Sequence, residues 1–410
     1  MTVPGYVRDE GVRSAVREAR GERLPQWIEA ELEQGRAEHA FHGLEALRSL
    51  PLFGPRVGAE RELAPAPASA DAEEALFWED VQRTEAALAG YEQGASYVEW
   101  PYRHIFSGGR IVATARDARL ALGPGDLLLS YFMGSQRSYV FAVRTSGMRA
   151  IPLPDAPEAQ RALVADLMGR LASADPDWEA SAARLYRALL GPVAGELAVA
   201  DTLLVVADGP LAEVPFAVLT PGGGAPPLLE RYRISSIPSF SVYLQISGRP
   251  VPNVPPRVLV VREAGAVPEG PSPASLHVFG SPTLLEGAAS RSRLLQEARR
   301  HTLLLFEEAS SLRAPEVASM TLPECQLVFL AEAAQALAGA FLVAGAPSVV
   351  LQRWKAGADV REALLLALFP RMLERGPVEA LRQAQLALRA RPATAHPHHW
   401  GAFTHQGWGK

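Results

Sequence analysis

With 410 residues, 48% of them hydrophobic, the chain has material for a large core, built either as two or three domains or as one large α/β unit. The formal charge of -5 is spread along the chain and the positive charge is almost all arginine, Lys355 and Lys410 being the only lysines, so no nucleic-acid footprint and no polybasic membrane patch is expected. The single cysteine, Cys325, excludes an intramolecular disulfide and a cysteine-based metal site; together with a charged start where a secretory leader would need an apolar core, it predicts a soluble cytoplasmic protein.

In chain order, residues 1–95 read as a helical N-terminal region, with amphipathic helices predicted near Arg8–Arg20, over Gln26–Ser49 and over Asp71–Tyr91. A proline-rich linker occupies about 51–70, through Pro51, Pro55, Pro65 and Pro67. No 34-residue self-similarity is present, which excludes tetratricopeptide repeats. From residue 96 to 410 an α/β domain is predicted, with an N-terminal part over about 117–250 and a second part over about 251–410.

Leu127–Tyr131, Ser138–Arg144 and Gly147–Pro152 look like a small β-meander, and Pro157–Leu197 like a helical pair. Short apolar runs follow at Thr202–Ala207, Arg257–Val261, Gln326–Leu330 and Pro347–Leu351, each flanked by glycine or proline. Continuous apolar strands between helices mark a parallel sheet buried on both faces. Ala333–Gln352 carries no charge and is long enough to raise a membrane span. Its interruption at Ala344-Gly345-Ala346-Pro347 makes it a buried helix feeding a buried strand.

The run LLVVADGPLAEVPF, Leu203–Phe216, is followed by LLERYRISSIPSFSVY, in which Pro238-Ser239 ends a strand before a helix start. Together with LGPGDLLLSYF at Leu122–Phe132, AGAPSVVLQRW at Ala344–Trp354, ALFPRMLERGPVEALRQAQLALR at Ala367–Arg389 and HPHHWGAFTHQG at His396–Gly407, it resembles the CHAT-domain family. The resemblance covers roughly Leu120 to the last residue. It implies a caspase-like sheet sandwiched by helices, akin to separases and gingipains, and a cysteine peptidase with a nucleophile and a histidine at the carboxyl ends of neighbouring parallel strands.

Here the sequence departs from the family. Where members read L-V-V-L-S-A-C-E-T-G, this chain reads LVFLAEAAQA, Leu327–Ala336, and Ala333 stands at the cysteine position. The histidine of the family's H-F-A-x-H-G falls on Ser281 if SLHVFGSP is the strand before it, or near Ala309 if TLLLFEEAS is. Neither is histidine, and the loop after the nucleophile position is cut short. Cys325 lies before the strand Gln326–Leu330, roughly 17–20 Å from its carboxyl edge, with His277 or His301 as conceivable bases. A structural thiol is the expectation.

Glu332, Glu307 and Glu308 stand near the vacant site and Asp208 in the D-G-P turn; all four are candidate binding residues, for example for a basic peptide. The histidines His396, His398, His399 and His405 read as a strand and turn carrying polar rings, and no metal or other cofactor is expected. A phosphate loop, G-x-S-x-G and H-E-x-x-H are absent from the sequence. The expected protein is therefore an inactive homologue of a cysteine peptidase, binding or regulating a protein partner, with the family loosely implying an active protease or effector in bacterial defence or cell death. Its oligomeric state is open. The alternatives are a hydrolase with another nucleophile, such as Ser281 with His277, or a small-molecule sensor.

Overall fold

A computed structural model describes residues 23–52, 112–249, 254–262, 281–286, 291–307, 312–318, 320–331 and 335–409. The helices predicted over Arg8–Arg20 and Asp71–Tyr91, and nearly all of the linker, lie outside the described residues. The chain divides into two compact units.

The first unit holds, among described residues, 23–52, 112–123, 143–150 and 239–249. The helix expected over Gln26–Ser49 forms as two, α1 (Arg23–Glu33) and α2 (Ala37–Leu52). Gly35 sits at φ +74° and closes α1: its amide donates to Leu32 O (3.1 Å) and the Arg36 amide to Glu31 O (2.8 Å). That double closure ends a helix at a left-handed residue, and a continuous amphipathic pattern does not reveal it. The Arg36 guanidinium also pairs with the Glu31 carboxylate, which holds that acid below its usual range.

Helix α3 (Ala115–Ala121) starts at a reciprocal cap, the Thr114 hydroxyl accepting from the Asp117 amide while Asp117 accepts from the Thr114 amide. Packed on α2 is a helix that comes much later in the chain, Phe240–Ser247, capped by Ser239 as the sequence predicts. The fully buried Glu45 carboxylate of α2 accepts from the amide (2.9 Å) and hydroxyl (3.0 Å) of Ser241 in its first turn.

The second unit carries the strands, apart from residues 143–150 at the end of the second strand and in the third. The predicted meander forms as β1 (Asp126–Met133), β2 (Ser138–Arg144) and β3 (Gly147–Pro152). The helical pair follows as α4 (Pro157–Ala172) and α5 (Trp178–Leu189), then β4 (Thr202–Val206), α6 (Leu228–Arg231) and β5 (Arg233–Ile237). After the helix Phe240–Ser247 come β6 (Val258–Arg262), β7 (Thr283–Glu286), α7 (Arg291–Ala298), β8 (Leu303–Phe306) and α8 (Ala314–Ala318). The chain continues through β9 (Leu327–Leu330), α9 (Gln335–Ala344), β10 (Ser348–Gln352), α10 (Ala358–Arg375), α11 (Pro377–Arg389), α12 (Pro397–Trp400) and β11 (Phe403–Gly407).

Among the described residues eleven strands join one sheet, in the order β3-β2-β1-β4-β5-β11-β10-β9-β8-β6-β7. The sequence predicts a parallel sheet, and two parallel blocks form: β1, β4 and β5 in one, β10, β9, β8, β6 and β7 in the other. Between them β11 is parallel to β5 and antiparallel to β10. The two blocks therefore run in opposite directions, and their carboxyl ends open on opposite edges of the sheet.

Burial explains the unalternating strands. In β9 every side chain is at most 1% exposed, as a strand covered on both faces requires. Each such leucine or phenylalanine contributes about 1.5–3 kcal/mol relative to an exposed one. The described part of Ala333–Gln352 forms α9 and β10 as predicted, and among the described residues no helix is long and apolar enough to cross a membrane. Gln385 of α11 donates to both Trp400 O and Phe403 O, each at 2.8 Å, and so fixes that helix at the entrance to β11.

Candidate active site

Strands β8 and β9 are neighbours in register, with Phe306 beside Leu330. The ladder continues one residue further, Ala331 donating to Phe306 O (3.0 Å) and Glu307 to Val261 O of β6 (3.0 Å). Strands β8 and β9 thus end side by side on one edge, which is where a nucleophile and its base would have to stand. Ala333 comes two residues after Ala331, and Ala309 two after Glu307. Both, with Glu308 and Glu332, lie outside the described residues.

Ser281 is not brought to this edge. Ser281 is an exposed bend residue just before β7, and β7 is parallel to β6; the rest of SLHVFGSP before it lies outside the described residues. Ser281 therefore stands at the amino edge of that block, because the chain enters β7 after it rather than before it. Its supposed partner His277 is outside the described residues.

Glu307 is not a bare acid waiting for a ligand. Arg262, the last residue of β6, grips it through two hydrogen bonds, Nε to Oε2 at 2.6 Å and one terminal nitrogen to Oε1 at 2.9 Å, with the two side chains 12% and 11% exposed. A forked guanidinium–carboxylate pair of this kind is strong and directional. It braces the edge where β6 and β8 end.

At the same edge β10 ends in Gln352, Arg353 and Trp354. The Gln352 amide nitrogen donates to Trp354 O (3.0 Å), and the Trp354 indole donates to His398 O (2.8 Å). Arg353 donates to Ala212 O (2.7 Å) and to the Thr404 hydroxyl (3.3 Å), and its burial lowers the guanidinium to about 10, with Glu213 opposing that shift. The cation survives at neutral pH. Sequence reasoning missed Arg262 and Arg353; the available signal is an arginine closing each of two apolar strands, RVLVVR and SVVLQR, which gains meaning only once β6 and β10 are known to end on the edge of Ala333.

Asp208 follows the carboxyl end of β4, in the block directed opposite to β8 and β10, while the 3-10 segment after it reaches Arg353 through Ala212 O. It opens the turn into the 3-10 segment Gly209–Glu213, with Gly209 at φ +54°.

Cys325 precedes β9 at its amino end, 2% exposed, and burial pushes its thiol up to about 12. It is a protonated sulfur at neutral pH and a poor nucleophile. Both ring nitrogens of His301 are occupied, Nδ1 by Glu297 O (2.6 Å) and Nε2 by the Thr283 hydroxyl (3.0 Å).

The terminal histidines have separate structural tasks. His396 caps α12, accepting from the His398 amide (3.0 Å) and bonding Asp175 O (3.0 Å). His398 bonds Leu171 O (2.9 Å), and His405 lies inside the sheet on β11. Among the described residues no group of three or more histidine, cysteine or acidic side chains is placed to hold a metal ion.

Compared with protein families, residues 179–268 and 261–408 match the CHAT domain, more than half of the chain. Among solved structures the chain is similar to the Saccharomyces cerevisiae separase–securin complex, at 10% identity over 97% of this chain and 38% of that one, with a TM-score of 0.49. It is similar also to the Arg-specific cysteine proteinase gingipain R, at 11% identity over 56% of this chain and 66% of that one, with a TM-score of 0.38. The chain thus spans less than two thirds of the length of either of these. A comparison with curated proteins found no match.

Proposed function

Since this chain belongs to the CHAT domain family and yet carries alanine where the family's nucleophile stands, we propose that it is a pseudoprotease, a caspase-like scaffold kept for binding. The observation that carries the reading is the pairing of Ala333 with the fate of the only cysteine. A methyl group cannot attack a carbonyl, and Cys325 is a buried, protonated thiol at the wrong end of its strand. Of the two positions considered for the histidine, the register of β8 and β9 supports Ala309, because Phe306 and Leu330, three residues before Ala309 and Ala333, are paired at the ends of these neighbouring strands.

In this reading the braced edge around Arg262, Glu307 and Arg353 presents a rigid platform to a protein partner, and the chain serves as an adaptor or regulatory subunit in the cytoplasm. An active protease or other effector, in a bacterial defence or cell-death pathway, is the partner the family resemblance suggests. The hydrolase alternative built on Ser281 loses support from the position of that residue at the amino edge.

The test is direct. The purified chain is assayed against a fluorogenic peptide library and a thiol-directed active-site probe, alongside Cys325→Ser. No turnover and no probe labelling in either protein is expected. Turnover by the wild type that disappears in Cys325→Ser, or that persists in it but is lost in Ser281→Ala, defeats the reading. For the binding role, affinity capture from the native host followed by mass spectrometry is expected to recover a stoichiometric protein partner; a chain recovered alone and monomeric removes that part.

A further inference from the structure

The sheet ends at β7, and among the described residues no further strand pairs with its outer side. A row of backbone amides and carbonyls is left there, which is a template for another strand. Leu284 is 44% exposed on one face of β7, while Leu285 is 2% exposed on the other. The strand is only four residues long and follows Pro282, so an added strand gains few backbone hydrogen bonds and needs a second source of affinity.

The helix that follows supplies one. Arg293 of α7 and Arg299 and Arg300 in the turn after it are exposed, and none of the three makes a side-chain hydrogen bond or ion pair among the described residues. Exposed arginines elsewhere are paired, Arg161 with Glu158, Arg184 with Asp166 and Arg257 with Glu324. The one acid of α7, Glu297, lies 3.8 Å from the His301 imidazole. His301 also fixes where the charges stand. Its Nδ1 bonds Glu297 O and its Nε2 lies 3.0 Å from the hydroxyl of Thr283, the first residue of β7, so the turn before it is held at the amino end of that strand.

The face on which α7 lies follows from register. Leu285, Val261 and Phe306 share one row, and Phe306 packs on Phe341 of α9 with ring centroids 5.2 Å apart, so α9 covers the face of Leu285. The connections from β7 to β8 and from β9 to β10 cross the sheet in the same direction. Right-handed crossovers of one direction lie on one face, which puts α7 on the face of Leu285 as well. Leu284 points to the other face.

We propose that β7 and α7 form a docking surface for an extended acidic segment of a partner protein, which adds as a strand to the outer edge of β7. Because residues of a strand alternate between faces, the segment alternates too: carboxylates on the side of α7, toward Arg293, Arg299 and Arg300, and apolar side chains on the side of Leu284. An arginine side chain spans the strand spacing of about 4.8 Å, and its fork matches a carboxylate. A backbone edge asks for a peptide, which nucleic acid and lipid do not supply, and three arginines offer few of the phosphate contacts on which nucleic-acid affinity rests. The proposal rests on the binding role put forward above but not on the loss of catalysis. The assays below read this surface alone, so a partner held elsewhere leaves that role standing while this surface falls.

The probe is the labelled peptide Glu-Val-Glu-Val-Glu-Val. Its controls are the same peptide N-methylated at alternate backbone positions, which keeps the charge and blocks pairing, and Lys-Val-Lys-Val-Lys-Val. At low salt the acidic peptide is expected to bind with a Kd of roughly millimolar or below, several-fold more weakly at physiological salt. The lysine peptide should not bind, and the N-methylated one should bind at least about fivefold more weakly. Amide exchange over 283–286, read by mass spectrometry, should slow with the acidic peptide only. Arg293→Gln, Arg299→Gln and Arg300→Gln together should weaken it about tenfold without lowering the thermal melt. No binding of the acidic peptide overturns the proposal, as does equal binding of the N-methylated or the lysine peptide. Tighter binding of duplex DNA or of phosphatidylserine vesicles than of the acidic peptide overturns it as well. The comparison of peptides on the wild type decides the matter even where the variant fails to fold.

Discussion

His405 makes the stability of this protein depend on acid in a way that can be worked out in advance. Its ring is buried inside the sheet, and burial lowers it from the ordinary 6.5 to about 3. The group is therefore neutral in the folded chain and takes up a proton in the unfolded one below 6.5. Stability from this group is complete above that pH and is lost as the pH falls toward 3, because the unfolded state then binds more protons. Between pH 8 and pH 5 the loss amounts to about 2 kcal/mol, and near pH 3 to about 4 kcal/mol. Replacing His405 by glutamine keeps a neutral donor for Ser235 and removes the titration. Urea unfolding of the wild type and of His405→Gln at several pH values between 8 and 5 measures the difference, in which every other titrating group cancels. The wild type should lose about 2 kcal/mol more than the variant across that range. Parallel pH profiles would show that the imidazole is charged or solvated in the folded state, and the reasoning would fail.

Three further expectations concern other parts of the chain. Removing either member of the Arg262–Glu307 pair should cost about 3 kcal/mol or more by stranding its partner in a site of low exposure, while Arg262→Leu with Glu307→Leu should cost clearly less than the two single changes together; strictly additive urea-unfolding energies would mean that the pair is not coupled. Cys325 should stay unmodified by iodoacetamide at pH 8 in the folded protein, where only about one thiol in ten thousand is ionised, and react fully in urea; mass spectrometry reads both. Gly35→Ala meets no atom within 4 Å but must hold φ +74°, so it should destabilise the first unit by about 1 kcal/mol through the backbone alone. An unchanged thermal melt would remove the assigned role of that helix end.

Much of the second unit is legible in the sequence because its strands announce themselves by composition. TLLVV, LVFL and SVVLQ are short, apolar without alternation and bounded by turn residues, and all three form strands of the sheet at nearly the predicted positions. What composition cannot carry is direction and order. Nothing in FTHQG says that it inserts between β5 and β10, or that the two blocks consequently face opposite ways, so that β4 before Asp208 and β9 end on different edges. The α1–α2 break was missed because an amphipathic period runs through Gly35 and only the left-handed closure stops it. The Arg262–Glu307 pair joins residues 45 apart in sequence and needed the adjacency of β6 and β8.

The place of β11 bears also on how the sheet is assembled. The strands on either side of it, β5 and β10, are complete in chain order long before residues 403–407 appear, and each must wait with one row of backbone amides and carbonyls unpaired. A five-residue strand then closes both rows at once, in two different geometries, and it pairs with β5 at a separation of 170 residues between Ser236 and Gln406. Contacts so distant are slow to form, and open edges of apolar strands are where chains stick to one another. The last strand thus acts as a keystone in time as well as in space: until it seats, the protein is two half-sheets with their adhesive sides exposed, and the period before it seats is when the chain is most exposed to aggregation and to chaperones.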